Sequence, residues 1–130
     1  SPSYLARRGE PKTPADLAPE RVREKVGWVR AAAEKAGRDP AAIELQSLTF
    51  VLAIGDDPSG LRRALAGSTG MSVEEVADCP LFLTGPASEI QDRLAKRRDE
   101  TGLSYIVIQG RDMEQIERFA EEVMRPLARA

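Results

Sequence analysis

The chain has 130 residues, of which 42% are hydrophobic and 31% charged, and its formal net charge is −2. This length suits one domain or one piece of a larger one. The charge gives no general attraction to nucleic acid or to an anionic membrane, and the sequence holds no run of about 18 apolar residues that would predict a transmembrane helix. We therefore expect neither a nucleic acid nor a membrane among its partners.

Two residue types restrict the chemistry. Histidine is absent, which removes the commonest general base and the commonest metal ligand, so we assign no catalytic residue and no metal ligand. Cys79 is the single cysteine, which excludes a disulfide within the chain and fits a reducing cytoplasm, the predicted location. Ser1 stands where an initiator Met is usual, which indicates a processed or cut start.

The first half of the chain predicts an arm, a helix and a strand. Residues 1–18 contain three prolines and are expected to form an extended N-terminal arm. A helix is predicted over Arg21–Ala36, after an opening Pro19 and before a closing Gly37. The run Ile43–Ile54 first alternates and then becomes continuously apolar, which is typical of a strand that enters a buried parallel sheet.

Residues 58–80 predict a helical insertion of two short helices. The second has Ser72 as its cap and Glu75 three residues later, the pattern of a capping box. Leu81–Thr84 then leads out of the insertion.

The last third predicts a helix, a strand and a final helix. An amphipathic helix over Ser88–Thr101 ends at Gly102, and Tyr105–Ile108 is a short buried strand. Asp112 is a good cap for the last helix. This alternation predicts an α/β fold with a parallel sheet in residues 19–130. Because two strands cannot cover their own edges, we expect other segments or chains to complete the sheet.

The order and spacing of several blocks resemble the C-terminal part of the bacterial luciferase-like monooxygenase superfamily, and are most similar to its deazaflavin (F-420) dependent oxidoreductase branch. The resemblance extends from about Pro19 to the end of the chain. The blocks that carry it are Arg21–Arg30, Leu45–Ile54 with Asp56-Asp57, Met71–Val76, Cys79-Pro80, Gly85–Ile90 and Tyr105–Ile108. One departure is local, because the proline and cap after Gly85 are displaced by one residue from the family's usual order.

The resemblance implies a partial TIM (β/α)8 barrel, roughly its last helix-strand-helix-strand-helix units with the insertion 58–80. Leu45–Ile54 would be the seventh strand and Tyr105–Ile108 the eighth. It also implies hydride transfer between an organic substrate and deazaflavin F-420 or FMN. The earlier strands, which hold most of the family's cofactor contacts, are not in this sequence, so we do not expect the chain to be catalytic alone.

The expected site residues follow the two predicted strands, because barrel chemistry lies at the carboxyl ends of the strands. Gln109, Gly110 and Arg111 are candidates for cofactor binding, with amides of the last helix assisting Arg111 against an anionic group. Asp56 and Asp57 are candidates for substrate binding. The simpler interpretation is favoured for both sets: a turn with its cap for the two acids, and a solvated charge for Arg111.

Two basic clusters, Arg62-Arg63 and Lys96–Arg98, are interpreted as solvated helix faces because acids lie beside them. For partners, we expect self-association or a complementary barrel half, together with a small-molecule substrate. The alternative function is a non-catalytic α/β interaction or dimerisation module. A third possibility is a proteolysed remnant.

Overall fold

The computed structural model describes residues 19–129, so the arm predicted for residues 1–18 lies outside the described residues. The described elements are, in chain order, helix α1 (Pro19–Lys35), a short 3-10 helix (Pro40–Ala42), strands β1 (Leu45–Thr49) and β2 (Val51–Ile54), helices α2 (Ser59–Thr69) and α3 (Val73–Asp78), strand β3 (Phe82–Gly85), helix α4 (Ala87–Thr101), strand β4 (Leu103–Ile108), helix α5 (Met113–Arg118), a π-helical segment (Phe119–Met124) and helix α6 (Arg125–Arg129).

Several predicted boundaries are confirmed by local hydrogen bonds and backbone angles. Ser72 and Glu75 form the reciprocal capping box that opens α3, and the Asp112 carboxylate caps α5. Gly102 ends α4 in the left-handed region at φ 77°. These ends form where expected because capping and left-handed glycine depend mainly on the residues next to them.

The strands form two parallel pairs, β1 with β4 and β2 with β3. The expectation of only two strands was therefore wrong, since Leu81–Thr84 contributes to a third paired segment, β3. Helices α2 and α3 connect β2 to β3, and α4 connects β3 to β4. This is a mixed α/β architecture with parallel strands, as the alternation predicted.

The run 45–54 is interrupted by a bulge at Phe50. The amides of Phe50 and Val51 both donate to the Leu81 carbonyl, at 2.8 and 3.2 Å. One extra residue reverses the alternation of side chains along a strand. As a consequence, Thr49 and Leu52 lie on the same side of the sheet. Thr49 is in register with Ile108, and Leu52 is in register with Leu83.

Two apolar clusters cover opposite sides of this sheet. The first contains Leu83 of β3, Ile90 and Leu94 of α4, and Phe119 and Val123 of the π-helical segment. The second lies under α2 and α3, and its members are Met71, Val76, Cys79, Leu81 and Phe82. Since Phe82 and Leu83 are consecutive strand residues, they enter different clusters. With both sides covered, all four residues of β3 are buried.

Candidate functional site

An open cleft lies where β4 ends and where the bulge interrupts the run 45–54. We call it the carboxyl-edge cleft. It has a volume of about 430 Å³ and is lined by Phe50, Val51, Leu52, Gln109, Gly110, Arg111, Asp112, Gln115 and Ile116. The three predicted cofactor-binding residues are therefore brought together in one concave site. Its position follows from the parallel sheet, in which ligand sites lie beyond the carboxyl ends of the strands.

The last helix is fixed to the end of β2 beside this cleft. The Ile54 amide donates to Gln115 Oε1 at 2.7 Å, and Arg118 Nη1 donates to the Ile54 carbonyl at 3.0 Å. Arg118 also binds the Glu122 carboxylate through Nε and Nη2, at 2.9 and 3.1 Å. These contacts hold the wall of the carboxyl-edge cleft against the strand edge. Sequence reasoning missed Gln115 because nothing local connects it to a residue 61 positions earlier.

Arg111 is exposed at the mouth of this cleft, and within residues 19–129 it forms no ion pair. Its guanidinium is thus available to an anionic group. Two amides at the start of the last helix, which were expected to assist Arg111 in binding an anion, are not available. The Asp112 carboxylate already accepts from the amides of Glu114 and Gln115, at 3.1 and 3.4 Å. An anion here would be held by the Arg111 side chain, with the Asp112 charge opposing it.

Asp56 and Asp57 are exposed after β2 and do not line the carboxyl-edge cleft. Asp57 accepts hydrogen bonds from the Ser59 hydroxyl and amide, at 2.5 and 3.2 Å, which lower the pKa of its carboxyl. It is therefore a turn residue at the start of α2, as the simpler interpretation holds. The pKa of the Arg118 guanidinium is raised mainly by its hydrogen bonds to Glu122, and the nearby Asp56 charge adds a small contribution.

Two arginines that were interpreted as solvated are largely buried. The Arg62 side chain is 12% exposed and contacts Thr84 and Glu89, while Arg97 is 7% exposed and donates to the Asp78 carbonyl. A sequence signal existed for Arg97, because it follows Ile90 and Leu94 at helical spacing on the apolar face of α4. Arg62 has no such signal, since its partners lie beyond the next helix.

One side of the β1–β4 pair is only partly covered. Gln46 is in register with Tyr105, and Leu48 with Val107, so these four side chains share the side opposite Ile106 and Ile108. We call this side the open sheet face. Tyr105 is 50% exposed there, and Phe50 at the bulge is 53% exposed. An apolar groove of about 390 Å³ adjoins it between α1 and β1, with Leu48 and Phe50 in its lining.

Comparison with known proteins gives no match of any of three kinds: no protein-family model, no curated protein and no solved structure. In residues 19–129, no helix is both long enough and apolar enough to cross a bilayer. The same residues contain no group of three or more His, Cys, Asp or Glu side chains that could hold a metal ion.

Proposed function

We propose that this chain is the C-terminal portion of a luciferase-like, flavin- or deazaflavin-dependent oxidoreductase, which transfers hydride to or from an organic substrate. In this proposal the chain supplies the last units of a TIM barrel, and other segments or chains supply the rest. It contributes the wall that holds the anionic end of the cofactor and is not catalytic alone. The substrate binds elsewhere in the completed site.

The partly covered side of the β1–β4 pair supports the barrel part of the proposal, although β3 is buried on both sides and is not paired with β4. In a barrel, helices cover the outer side of each strand and other strands fill the inner side. Ile106 and Ile108 pack against the cluster formed with α4 and the last helix. Tyr105 and Val107, on the other side of the same strand, belong to the open sheet face. Strands from the remaining part of a barrel would supply that missing cover.

The observation that carries the cofactor part is the position of Arg111 in the carboxyl-edge cleft. The Arg111 guanidinium forms no ion pair among the described residues and lies near Gln109 in the lining of this cleft. A free guanidinium at the carboxyl edge of parallel strands is suited to bind a phosphate group. F-420 and FMN each carry phosphate. The bound cofactor would supply the hydride chemistry, whereas residues of this chain bind and orient its phosphate end.

The experiment compares FMN with riboflavin, which has the same ring but lacks the phosphate, and adds F-420 as the second cofactor. Each is titrated into the purified 130-residue chain and followed by cofactor fluorescence. We expect saturable binding of a phosphate-bearing cofactor and no saturable binding of riboflavin. Arg111→Gln should weaken that binding about tenfold, because a charge-assisted contact is lost.

Arg38→Gln is the matched control, since Arg38 is also exposed and lies outside the lining of the carboxyl-edge cleft. It should leave the affinity unchanged. The cofactor proposal fails if neither F-420 nor FMN binds, if riboflavin binds as well as FMN, or if Arg111→Gln and Arg38→Gln have equal effects.

The alternative function, a non-catalytic interaction or dimerisation module, is favoured by the open sheet face alone. Half-exposed Tyr105 and Phe50 are large apolar contacts of the kind that dominate protein interfaces. Sedimentation over a range of concentrations should then show self-association that Tyr105→Glu abolishes. Met113→Glu is the control, because Met113 is 63% exposed but lies outside this face. A monomer at every concentration contradicts self-association.

A further inference from the structure

A second cleft lies at the opposite edge of the sheet, before β3 and β4 begin. The first turns of α1, the connection Asp78–Pro80 and the C-terminal half of α4 surround it. We call it the amino-edge cleft. Its volume of about 20 Å³ leaves room for one water molecule or one small ionic group, since a single water needs a probe volume of about 10–15 Å³. It shares no lining residue with the carboxyl-edge cleft.

The charged lining of the amino-edge cleft is predominantly basic. It comprises Arg23, Arg93, Lys96 and Arg97, with Asp78 and Glu100 as its acids, so its formal net charge is +2. Glu100 is shared by Arg23 at 3.5 Å and Lys96 at 3.9 Å. Arg93 forms an ion pair with Glu89, and Glu89 also forms an ion pair with Arg62 at 3.2 Å. The acids nearby are thus already divided among several cations.

Arg97 is the cation in this cleft whose donors are least satisfied. Its side chain is nearly enclosed, and Nη2 donates to the Asp78 carbonyl at 2.9 Å. Nη1 is buried and has no hydrogen-bond partner, and within residues 19–129 no carboxylate lies within 4 Å of this guanidinium. A buried donor on a charged group is costly to leave unpaired. This arrangement itself points to a missing acceptor.

The neighbouring arginine adds to the need for negative charge. Arg93 and Arg97 are one turn apart on α4, so their guanidinium groups lie on the same helix face. Burial lowers the pKa of both side chains; for Arg97 the Asp78 charge partly opposes this lowering, and repulsion from Arg93 adds a smaller contribution to it. An anion between α4 and the Asp78–Pro80 connection would reduce this repulsion and accept from the unsatisfied nitrogen.

We propose that the amino-edge cleft binds a small tetrahedral oxyanion, either inorganic phosphate or the phosphate of a small monoester, held mainly by Arg97 and Lys96. The planar guanidinium matches two oxygens of such an anion, and the exposed ammonium of Lys96 closes over the open side. A small rotation of the Arg97 guanidinium toward the anion is part of this proposal, because Nη1 is enclosed in the structure. The cleft admits only the phosphate group, so the rest of a monoester would remain in solvent.

The test uses the full chain and measures the melting temperature against phosphate concentration, with chloride at equal ionic strength as the reference. A bound anion raises the melting temperature in a saturable way because it binds only the folded state. We expect phosphate to stabilise and chloride not to. A small phosphate monoester should stabilise as phosphate does if both sources are accepted, and a stabilisation by phosphate alone would restrict the site to the free ion.

Variants locate the effect. Arg97→Lys keeps the charge but removes the planar fork, and should weaken phosphate binding about tenfold. Lys96→Gln serves if the buried substitution unfolds the chain, because Lys96 is 66% exposed and its replacement should be tolerated. Lys35→Gln makes the same charge change at the far end of α1 and should have no effect. Arg111→Gln should also leave this binding intact, which separates it from the proposed cofactor site.

The inference is overturned if chloride stabilises as much as phosphate at equal ionic strength. It is equally overturned if Lys96→Gln and Lys35→Gln respond alike, or if Arg111→Gln alone removes the effect.

Discussion

Arg62 binds Thr84 through two hydrogen bonds, from Nε to the hydroxyl oxygen at 3.0 Å and from Nη2 to the carbonyl at 2.6 Å. Nη2 also lies 3.2 Å from the Glu89 carboxylate. One side chain of α2 thereby joins the end of β3 to the first turn of α4. It fixes the helices of the segment 58–80 against the sheet at the point where the chain turns sharply.

Replacing Arg62 by Met should destabilise the fold by about 1–3 kcal/mol, because it leaves Thr84 without a donor in a buried site. Urea unfolding followed by circular dichroism measures the change. Arg63→Met is the matched control, because Arg63 is exposed. This substitution should change the unfolding free energy by less than about 0.5 kcal/mol. Equal effects of the two substitutions would show that the Thr84 contacts contribute little.

Gly85 should not tolerate a side chain. Its φ of 115° lies in the region that favours glycine, and a Cβ there would be 2.8 Å from both Arg62 Nη2 and Glu89 Oε2. We expect Gly85→Ala to reduce the unfolding free energy by about 1–3 kcal/mol. Gly67→Ala, inside α2 with open space around it, should instead stabilise by about 0.5–1 kcal/mol. A neutral Gly85→Ala would contradict the close approach of Arg62.

The ion pair of Arg118 and Glu122 predicts a dependence on pH. Hydrogen bonds from Arg118 lower the pKa of the Glu122 carboxyl below its ordinary value. The carboxylate therefore adds stability above the ordinary glutamate pKa, and this contribution is lost as the pH falls through the lowered folded value. The stability difference between the native chain and Glu122→Gln should be present at neutral pH and vanish in acid. Glu117→Gln, at an exposed position, is the control; a difference that persists in acid would exclude the ion pair as its cause.

The thiol of Cys79 should be unreactive in the folded chain. It is fully buried, and this burial raises the pKa of the thiol. Because the thiolate is the reactive form, a disulfide reagent such as DTNB should label it slowly at neutral pH and rapidly after unfolding in urea. The raised pKa also means that the unfolding free energy falls as the pH rises from the ordinary thiol pKa of the unfolded chain toward the higher thiol pKa of the folded chain. Rapid labelling of the native chain would contradict the buried position.

Much of the helical structure could be predicted because its signals are local. The capping box at Ser72, the Asp112 cap and the glycine stop at Gly102 each depend on residues within one turn. The apolar face of α4 was likewise evident from Ile90 and Leu94. The candidate residues Gln109, Gly110 and Arg111 were placed correctly at a strand end, since Tyr105–Ile108 was recognised as a strand.

The sequence by itself determined the α/β class, the order of most elements and the absence of any histidine-based chemistry. Only the tertiary structure decided that β3 is a strand, that a bulge at Phe50 reverses the side chains of the run 45–54, and that Asp56 and Asp57 lie outside the carboxyl-edge cleft. It also decided that Arg97 is buried and that the Arg62 side chain is largely so. The physical reason is range: caps and helix stops arise within one turn, whereas strand pairing and burial of charge depend on partners many residues away.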